Sequence, residues 1–577
     1  MSFLASLLIG LAGRRAAARF EKATMDPVAA QQRKLLEILT ANRETEYGRA
    51  HGFSEIRDLR AYQRSVPVVT YEDIREHIER MASGVENVLT AEAPVMFAMT
   101  SGTTGDAKLI PITPTCRGRD HADQMRVWLH HARLAHPGIF RGKILSLVSP
   151  AVAGRTPAGI PYGSTSGMMY RDMNPLVRRS YVVPYEVSEI EDYDAIYYAV
   201  MRLALEADVT LLATANPSSV QKLVETADAR AESLIRDIHD GTLCRDLALE
   251  PLIRKRIEHQ LARDPARAKQ LDEARNRRSA RLLPADYWPH LGLIACWKGG
   301  TVGGAVEHFA EWFDPDGCGM LPVRDWGYLS SEARGSIPLS DDGDGGVLTV
   351  TANVFEFVPV DELEKSPDGR DAWGFLGIDS IEVGKQYYIF LTTTGGLYRY
   401  DINDVIEVVG TYNRTPVVAF RRKGRGMTSM TGEKLSENQV IDAMTIAAKA
   451  LELTVSHFRA ETDVDHTRYV FKVELEGSVP EDRQAALLEQ IDETLCEGNL
   501  EYKAKRASGR LHAPLLQVMK PGWHEEELKH SAADGKPVFQ SKDVHLDAKQ
   551  EFQPEPENVE AEVDLDEAGG TLRPGEK

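Results

Sequence analysis

Short apolar runs that stop abruptly are the feature that most constrains the fold of this chain. Four of them have the length of a β-strand and are stopped by Gly, Pro or Asn; they read GKILSLVSP, VTLLATANP, GLIACW and GVLTVTANVFEFVP. Helical stretches, for which we take VRDWGYLSSEA as one example, alternate with these runs. Continuous apolar strands that alternate with helices are typical of sheets covered by helices. The sequence therefore predicts an α/β fold.

A second pattern follows in the run QYYIFLTTTGGLYRYDINDVIEVVG. It contains three β-rich segments separated by TGG and IND, and short polar turns of this kind join antiparallel neighbours. We expect an antiparallel meander here.

The pattern starts again after the basic string RRKGRG at residues 421–426. Ser436 and Gln439 fit a capping box, and an amphipathic helix, an alternating strand and a second helix follow. Because 577 residues are too many for one core, we predict three parts. They are a large N-terminal domain of residues 1–422, a small C-terminal α/β domain of residues 423–550, and an acidic disordered tail of residues 551–577, with RRKGRG as a candidate hinge.

The charge balance excludes some partners. Asp and Glu number 87 against 68 Lys and Arg, a net charge of −19, which disfavours nucleic acid and anionic membranes as partners. The five cysteines form no C-x-x-C pair, so the common zinc spacings and a disulfide framework are excluded and a reducing, cytoplasmic location is expected. The N-terminal FLASLLIGLAG is too short to span a bilayer and precedes its arginines, so we predict a packed or surface-lying helix without stable membrane insertion.

The loop TSGTTGDAK, residues 100–108, has the composition of an anion-binding turn. Glycine lets backbone N–H groups converge on phosphate oxygens, while the hydroxyls and Lys108 add further donors. It is not a Walker A motif, because Lys108 stands three residues after Gly105 and Pro111 blocks a helix after the lysine. Taken alone, the loop is equally a plain surface turn.

The flanking segments give the loop a context. TSGTTGDAK resembles the phosphate loop of the adenylate-forming superfamily, which includes acyl-CoA synthetases and luciferases. With it, five further segments resemble the auxin-responsive (Gretchen Hagen) acyl acid-amido synthetases, and they occur in the family's order along most of the chain. They are TEYGRAHGF, SVPVVTYEDIREHIERM, FVPVDELE, GLYRYDINDVIEVVG and GEKLSENQV. The chain is identified as a bacterial-type member of this family.

The resemblance implies a luciferase-like fold, in which a large domain with helix-flanked sheets and a β-barrel-like part is followed by a small mobile domain. It also implies an ATP- and Mg²⁺-dependent ligase that adenylates a small carboxylic acid and passes the acyl group to an amino acid. Two alternatives stay open: an acyl-CoA ligase with a thiol acceptor, and a non-catalytic relative that binds nucleotide. A monomer is expected.

The resemblance also assigns nucleotide-binding residues. The third motif, YRYDIND, supplies Asp404 for the ribose hydroxyls and Arg399 as a supporting charge, while in YLSSE Tyr328 would stack on adenine and Glu332 would hold Mg²⁺. The complete nucleotide set is Thr100, Ser101, Gly102, Thr103, Thr104, Gly105, Lys108, Gly300, Tyr328, Ser331, Glu332, Arg399 and Asp404. Without the family, YLSSEARGS is a helix end with a solvated Glu, and YRYDIND is a hairpin turn with a local cap.

Three departures from the family pattern accompany these motifs. Leu329 stands where relatives carry Gly or Ala, Asn403 replaces a glycine, and Asp401 replaces a residue that is often basic. Asn is a tolerable substitute because it also adopts left-handed conformations.

The remaining assignments concern catalysis and the acyl pocket. Lys434 matches a lysine that would reach the α-phosphate, and Lys542 is a second candidate; Glu332 completes the catalytic pair. Met125, Trp128, Ser164 and Thr165 fall where relatives bind the acid, although a Met and a Trp at helical spacing are more often core. His130 and His131 have no ligand partner at metal spacing and are expected to be solvated.

Overall fold

A computed structural model describes most of the chain. The described residues are 3–100, 108–299, 306–366, 369–424, 427–428, 433, 435–463, 466–507, 511–533, 544–552 and 555–565. They form two compact units: the larger holds the chain up to Arg422 and also Ala532 and Ala533, and the smaller begins at Lys423.

The larger unit opens with five helices whose first turns are mostly capped by side chains. Asp26, Thr45 and Asp58 each accept a backbone N–H, and Thr70 and Asp73 form a capping box. The five helices are α1 Phe3–Thr24, α2 Pro27–Asn42, α3 Glu46–Ala50, α4 Leu59–Ser65 and α5 Tyr71–Ala82. Ala16 and Phe20 of α1 are buried in one core cluster with Trp128, as expected for a packed helix. Among the described helices, none is both long and apolar enough to cross a membrane.

Fourteen strands follow in the described part of the larger unit. They are β1 Met96–Thr100, β2 Lys108–Ile112, β3 Lys143–Ser146, β4 Gly154–Arg155, β5 Pro161–Gly163, β6 Val209–Ala213, β7 Leu293–Ala295, β8 Val323–Arg324, β9 Ser336–Ile337, β10 Gly346–Leu348, β11 Val354–Pro359, β12 Gln386–Thr392, β13 Tyr400–Tyr412 and β14 Thr415–Lys423. Helices lie between many of them: α6 Ala122–Ala135, α7 Thr165–Arg171, α8 Pro175–Arg178, α9 Tyr193–Ala204, α10 Pro217–Ala229, α11 Ala231–Asp240, α12 Pro251–Glu258, α13 Pro265–Arg277, α14 Pro284–Tyr287, α15 Phe309–Phe313 and α16 Val360–Lys365. A π-helical turn, Cys116–His121, precedes α6.

These strands build three sheets. One is mixed, in the order β2-β1-β5-β4; one is parallel, β3-β6-β7-β8; and one has six strands, β11-β12-β13-β14-β10-β9. The first three predicted runs form β3, β6 and β7 of the parallel sheet, whereas the fourth divides into β10 and β11 of the six-stranded sheet. The α/β prediction is confirmed. The run predicted as a three-stranded meander forms only two antiparallel strands, β12 and β13, and the next strand of the sheet, β14, comes from residues after that run.

Two local predictions are wrong. VRDWGYLSSEA is not a helix, because β8 occupies its start, Gly327 has a φ of +80°, and Leu329 pairs with Arg334 across a turn. IND is not a turn either, because β13 continues through it as a bulge. Gly and Ser disfavour the helix in the first case, while in the second β12 keeps pairing with β13 on both sides of the bulge.

The smaller unit is a five-stranded sheet with helices. Its strand order is β20-β17-β18-β19-β21. Its elements are β15 Met427–Thr428, β16 Leu435–Ser436, α17 Glu437–Ala450, β17 Val455–Asp463, β18 Arg468–Leu475, α18 Glu481–Gly498, α19 Leu500–Ala507, β19 Leu515–Met519, α20 Trp523–Ala533, β20 Leu546–Glu551 and β21 Val559–Asp564. The capping box of Ser436 and Gln439 is present at the start of α17.

The prediction of a disordered tail is wrong for β21. This strand pairs antiparallel with β19, and Ala561 and Val563 pack against the core of the small unit. The acidic residues alternate with them, and Asp564 binds Arg468 at 2.6 Å. Alternation at a period of two therefore outweighs the low overall hydrophobicity of the segment. Residues 566–577 lie outside the described chain, as do residues 425–426 of the candidate hinge.

Candidate active site

The carboxyl edge of the parallel sheet carries the segments after β7 and β8. Asp325, directly after β8, accepts the N–H groups of Lys298 and Gly327, so one carboxylate joins the two segments. Burial raises the pKa of Asp325 to about 6. Ligands bind preferentially at this edge of parallel sheets. The sequence motifs did not point to Asp325; only its position at the end of a strand could have done so.

Tyr328 begins a tight hairpin that follows Asp325. Its ring is buried against Gly335, where an added Cβ would lie 2.3 Å from the ring, and it is parallel to Phe420 at 6.1 Å between centroids. The Tyr328 hydroxyl donates a hydrogen bond to Oδ2 of Asp404 at 2.7 Å. The structure thus joins the second and third sequence motifs through these two side chains. Stacking of Tyr328 on adenine stays a prediction.

Asp404 lies on β13 immediately after a bulge. Ile389 of β12 pairs with Asp404, and the next residue, Phe390, pairs with Asp401. β13 therefore holds two extra residues between these two pairs. Asn403 is one of them and has a φ of +57°, and its N–H binds Oδ1 of Asp401 at 2.9 Å. Both departures from the family pattern therefore have a local reason: Asn adopts the left-handed conformation and Asp401 caps the bulge.

Arg399 has a different role from the one predicted. Its guanidinium binds Glu356 at 3.1 Å and donates to the carbonyl oxygens of Gln63 and Val66. It also lies over the Phe375 ring at 4.3 Å, and its side chain is 5% exposed. Because these contacts occupy the guanidinium inside the core, we correct Arg399 from a nucleotide-binding charge to a residue that positions the start of β13.

Lys108 lies at the other end of the predicted nucleotide set. Thr100 and Lys108 face each other as the last pair between the antiparallel strands β1 and β2. The Lys108 ammonium lies 5.5 Å from the centre of the Tyr71 ring, whose hydroxyl accepts the N–H of Leu109. Ser101, Gly102, Thr103, Thr104 and Gly105 lie outside the described residues, as do Gly300, Lys434 and Lys542.

One short segment connects this pair of strands to the strand of Asp404. Val69 forms a parallel bridge with Tyr400, and its carbonyl oxygen accepts the N–H of Asp401 at 2.8 Å. Tyr71, two residues later, contacts Lys108 and Leu109 as described above. The end of the β1–β2 pair and the bulge therefore belong to one continuous part of the larger unit.

Glu332 lies half-buried in the turn of the Tyr328 hairpin, next to Ser331. No hydrogen bond or ion pair joins its carboxylate to any residue that the structure describes. Burial raises the pKa of Tyr400, and the negative charges of Glu332 and Asp401 raise that pKa further. Glu332 thus adds a negative charge near Tyr400, and no cation of the described residues pairs with it.

The predicted acyl-pocket residues divide into two kinds. Trp128 is a core residue, because its Nε1–H donates to the Asp325 carbonyl at 2.9 Å and its ring stacks on Trp326 at 4.4 Å. Its assignment to the pocket is corrected accordingly. Met125 is half-buried, Ser164 caps α7, and the buried Thr165 hydroxyl has no hydrogen-bond partner among the residues that the structure describes. The last three stay candidates.

The chain is similar to proteins of one known family along most of its length. Three family models match in order: the GH3 family N-terminal domain at residues 16–317, the central domain at 346–423 and the C-terminal domain at 438–551. The chain is 28% identical to the probable indole-3-acetic acid-amido synthetase GH3.4 of Oryza sativa subsp. japonica, over 90% of this chain and 86% of the relative. It is 25% identical to the jasmonoyl–L-amino acid synthetase JAR6 of Nicotiana attenuata, over 91% of each.

A solved structure shares the fold. GH3.15 acyl acid amido synthetase superposes with a TM-score of 0.79 at 22% identity, covering 94% of this chain and 95% of that one. The first family model alone spans more than half of the chain. The chain belongs to the GH3 family.

Proposed function

We propose that this protein is an ATP- and Mg²⁺-dependent acyl acid-amido synthetase. It adenylates a small carboxylic acid, releases pyrophosphate, and transfers the acyl group to the amine of an amino acid with release of AMP. The observation that carries the proposal is the meeting of the three nucleotide motifs in one part of the larger unit. Tyr328 binds Asp404, and Val69–Tyr71 connects the strand of Asp404 to Lys108.

The chemistry requires position and charge more than a protein nucleophile. The acid carboxylate attacks the α-phosphorus, and the bond to pyrophosphate breaks; the amine nitrogen then attacks the acyl carbon, and AMP leaves. Donors aimed at the phosphates are the effective catalysts of such a step. The loop at residues 100–105 and Lys108 would supply them, Asp404 would accept the ribose hydroxyls, and Lys434 or Lys542 would add a cation.

Glu332 fits the role of a magnesium ligand. Mg²⁺ prefers carboxylate oxygens together with substrate phosphates, and the Glu332 carboxylate has neither a hydrogen bond nor an ion pair within the described chain. Bound there, Mg²⁺ would neutralise phosphate charge. The protein's own contribution is to hold this carboxylate half-buried beside the Tyr328–Asp404 pair.

We expect Glu332→Gln to lower the rate of ATP–pyrophosphate exchange by about 100-fold, since neutral amides bind Mg²⁺ weakly and the lost charge stabilisation is worth about 3 kcal/mol. The exchange rate measured against MgCl₂ concentration should show a higher half-saturation than in the wild type. Glu311→Gln, at an exposed carboxylate, is the matched control. An unchanged magnesium dependence in Glu332→Gln would exclude Glu332 as the ligand.

We expect Asp325→Asn to weaken ATP binding about tenfold. The carboxylate accepts one N–H group with each of its two oxygens, whereas the asparagine side chain has a single acceptor oxygen. An N–H donor left unsatisfied costs about 1–3 kcal/mol. The folded pKa of Asp325, about 6, lies above its ordinary 3.8, so the folded protein holds this proton more tightly. The contribution of Asp325 to the free energy of unfolding therefore falls as the pH rises from about 4 to 6.

Calorimetric titration with ATP at pH 7.5 and pH 5 tests the Asp325 prediction. The affinity gap between wild type and Asp325→Asn should narrow at pH 5, where the wild-type carboxyl is protonated as well. Asp342→Asn, at an exposed position, controls for the loss of charge. A gap that stays constant with pH would contradict the role of ionised Asp325 in joining the two segments.

The relatives are named for indole-3-acetic acid and jasmonoyl conjugation, which supports a small carboxylic acid and an amino acid as substrates here. We expect a cytoplasmic monomer. Incubation with ATP, a panel of such acids and either amino acids or coenzyme A, followed by mass spectrometry, tests the function. An amide with AMP is the expected product; a thioester would indicate the acyl-CoA ligase, and no product with any acid would favour a non-catalytic relative.

A further inference from the structure

Three side chains of the kind that binds transition metals converge in the smaller unit. They are His457 of β17 and His524 and Glu527 of α20, and one ligand atom of each lies within 4.8 Å of the others. Within the described ranges, no second group of three such side chains converges in this way. Two imidazoles and one carboxylate form a donor set that zinc uses in proteins.

The start of α20 presents two of the three ligands. His524 and Glu527 are three residues apart, so they lie on the same face of the helix. Trp523, which begins the helix, is 2% exposed, and its ring centre lies 5.6 Å from that of His457. The buried tryptophan therefore fixes the start of α20 beside the strand that carries the third ligand.

Glu474 of β18 holds the same helix start from the sheet. Its carboxylate accepts the N–H of Gly522 at 2.7 Å and the N–H of His524 at 3.1 Å. In the ladder between β17 and β18, Glu474 is also the residue paired with His457. One glutamate thus sets the backbone of the two histidines relative to each other.

Arg459 of β17 orients the carboxylate ligand. Its guanidinium binds the two oxygens of Glu527 at 2.8 and 3.0 Å. A carboxylate offers about four lone-pair positions, of which a two-pronged contact with arginine uses two. Carboxylates that bind metals are commonly held by such hydrogen bonds. The contact therefore positions Glu527 and leaves acceptor positions for a metal ion.

The charge around the cluster favours a cation. Arg459 also binds Glu461 at 2.8 Å, and Lys472 binds Glu461 at 3.0 Å and Glu555 at 2.6 Å. Carboxylates outnumber cations here by four to two: they are Glu461, Glu474, Glu527 and Glu555 against Arg459 and Lys472. A divalent ion would neutralise this excess of negative charge.

The two histidine rings need one adjustment to share a metal ion. They are stacked, with centroids 3.5 Å apart and planes 13° apart, so their lone pairs lie in nearly parallel planes. Donor atoms of a tetrahedral zinc ion lie roughly 3.3 Å apart, because each bond to nitrogen is about 2.0–2.1 Å long. His457 is 7% exposed within the sheet, whereas His524 is half-buried at the helix start. Rotation of the His524 side chain therefore turns its lone pair out of the stack towards a shared ion.

We propose that His457, His524 and Glu527 bind one zinc ion, which ties the start of α20 to β17. Imidazole nitrogens select zinc over Mg²⁺, which prefers oxygen ligands and keeps several waters. Three protein ligands leave the fourth position of a tetrahedral ion to water. The sequence alone did not indicate this site, because only the spacing of His524 and Glu527 is local and His457 joins them through the fold.

Zinc titration of the metal-free, full-length protein tests the site and needs neither ATP nor an acid, so its outcome does not depend on the proposed function. In calorimetry we expect the wild type to bind one Zn²⁺ per chain more than His524→Ala, and Glu527→Gln to bind this ion at least tenfold more weakly. Co²⁺ bound to the wild type should show visible absorption that one equivalent of Zn²⁺ removes and excess Mg²⁺ leaves unchanged. His512→Ala, at an exposed histidine of the same unit, is the matched control.

Thermal unfolding separates metal binding from a purely structural role of the cluster. Zn²⁺ at about 100 times its dissociation constant should raise the wild-type midpoint by roughly 3 °C or more and leave that of His524→Ala unchanged. The backbone bond from His524 to Glu474 persists in this variant, and Glu527→Gln gives the same comparison with a smaller change. An equal zinc-induced rise in the wild type and His524→Ala would assign the cluster to packing alone and overturn the inference. Equal zinc binding by these two proteins, or loss of the ion in His512→Ala, would overturn it as well.

Discussion

Asp404→Ala is expected to lower the affinity for ATP by roughly 30-fold in calorimetry, equivalent to about 2 kcal/mol for the lost charge-assisted hydrogen bonds. The wild-type carboxylate is 2% exposed and accepts the Tyr328 hydroxyl, so it is already oriented before it would meet the ribose. The bulge at Asn403 fixes its backbone. The variant loses both the acceptor and the group that orders the Tyr328 ring, so pyrophosphate exchange falls at least as much.

Tyr328→Phe is the matched comparison for Asp404→Ala. It removes the hydroxyl that donates to Asp404 but keeps the ring between Gly335 and Phe420. We expect a loss in ATP affinity of fivefold or less from this variant. Equal effects of the two variants would mean that Asp404 acts only through Tyr328, and an unchanged affinity in Asp404→Ala would remove Asp404 from the nucleotide site.

We expect Arg399→Ala to lower the free energy of unfolding by about 3–5 kcal/mol, the usual cost of leaving a buried carboxylate without its partner. Glu356 is 1% exposed, and among the described residues its carboxylate receives one further bond, from Gln63 at 3.1 Å, so the variant leaves its charge in the core. The variant also loses the hydrogen bonds to the carbonyl oxygens of Gln63 and Val66 and the contact with the Phe375 ring. Urea unfolding followed by circular dichroism measures the loss as a lower midpoint.

The double variant Arg399→Met with Glu356→Leu distinguishes the buried pair from a nucleotide ligand. Replacing both charges by apolar side chains removes the uncompensated carboxylate, so most of the lost stability should return. Nucleotide affinity of the folded double variant should stay within a few fold of the wild type. A variant Arg399→Ala that loses less than about 1 kcal/mol of stability but loses ATP binding would restore the original assignment of Arg399 to the nucleotide.

Local patterns allowed much of this fold to be predicted from the sequence. The runs that became β3, β6 and β7 are apolar on both faces, and such runs have few alternatives to a buried strand. The capping box at Ser436 and Gln439 depends on residues three apart. Asp404 and Glu332 were assigned to the nucleotide site through motif resemblance, which carries information that spacing within one chain does not, and their roles stay predictions.

The features that escaped prediction depend on residues distant in the chain. Arg399 is paired with Glu356, 43 residues earlier, and no local signal distinguishes that arginine from one exposed to a ligand. Asp325 owes its role to a segment 27 residues away, at Lys298. The strand β21 forms because β19 offers it an edge, although its own composition suggested disorder. Tertiary partners thus decided each of these cases.

Transfer of an isotope label tests the central claim most directly, namely that a carboxylate attacks the α-phosphorus of ATP. An accepted acid, labelled with oxygen-18 at both carboxylate oxygens, is incubated with the protein, ATP, Mg²⁺ and an amino acid, and the nucleotide and amide are analysed by mass spectrometry. The account predicts AMP that carries one labelled oxygen and an amide that carries the other. Unlabelled AMP, or ADP together with labelled inorganic phosphate, would contradict it.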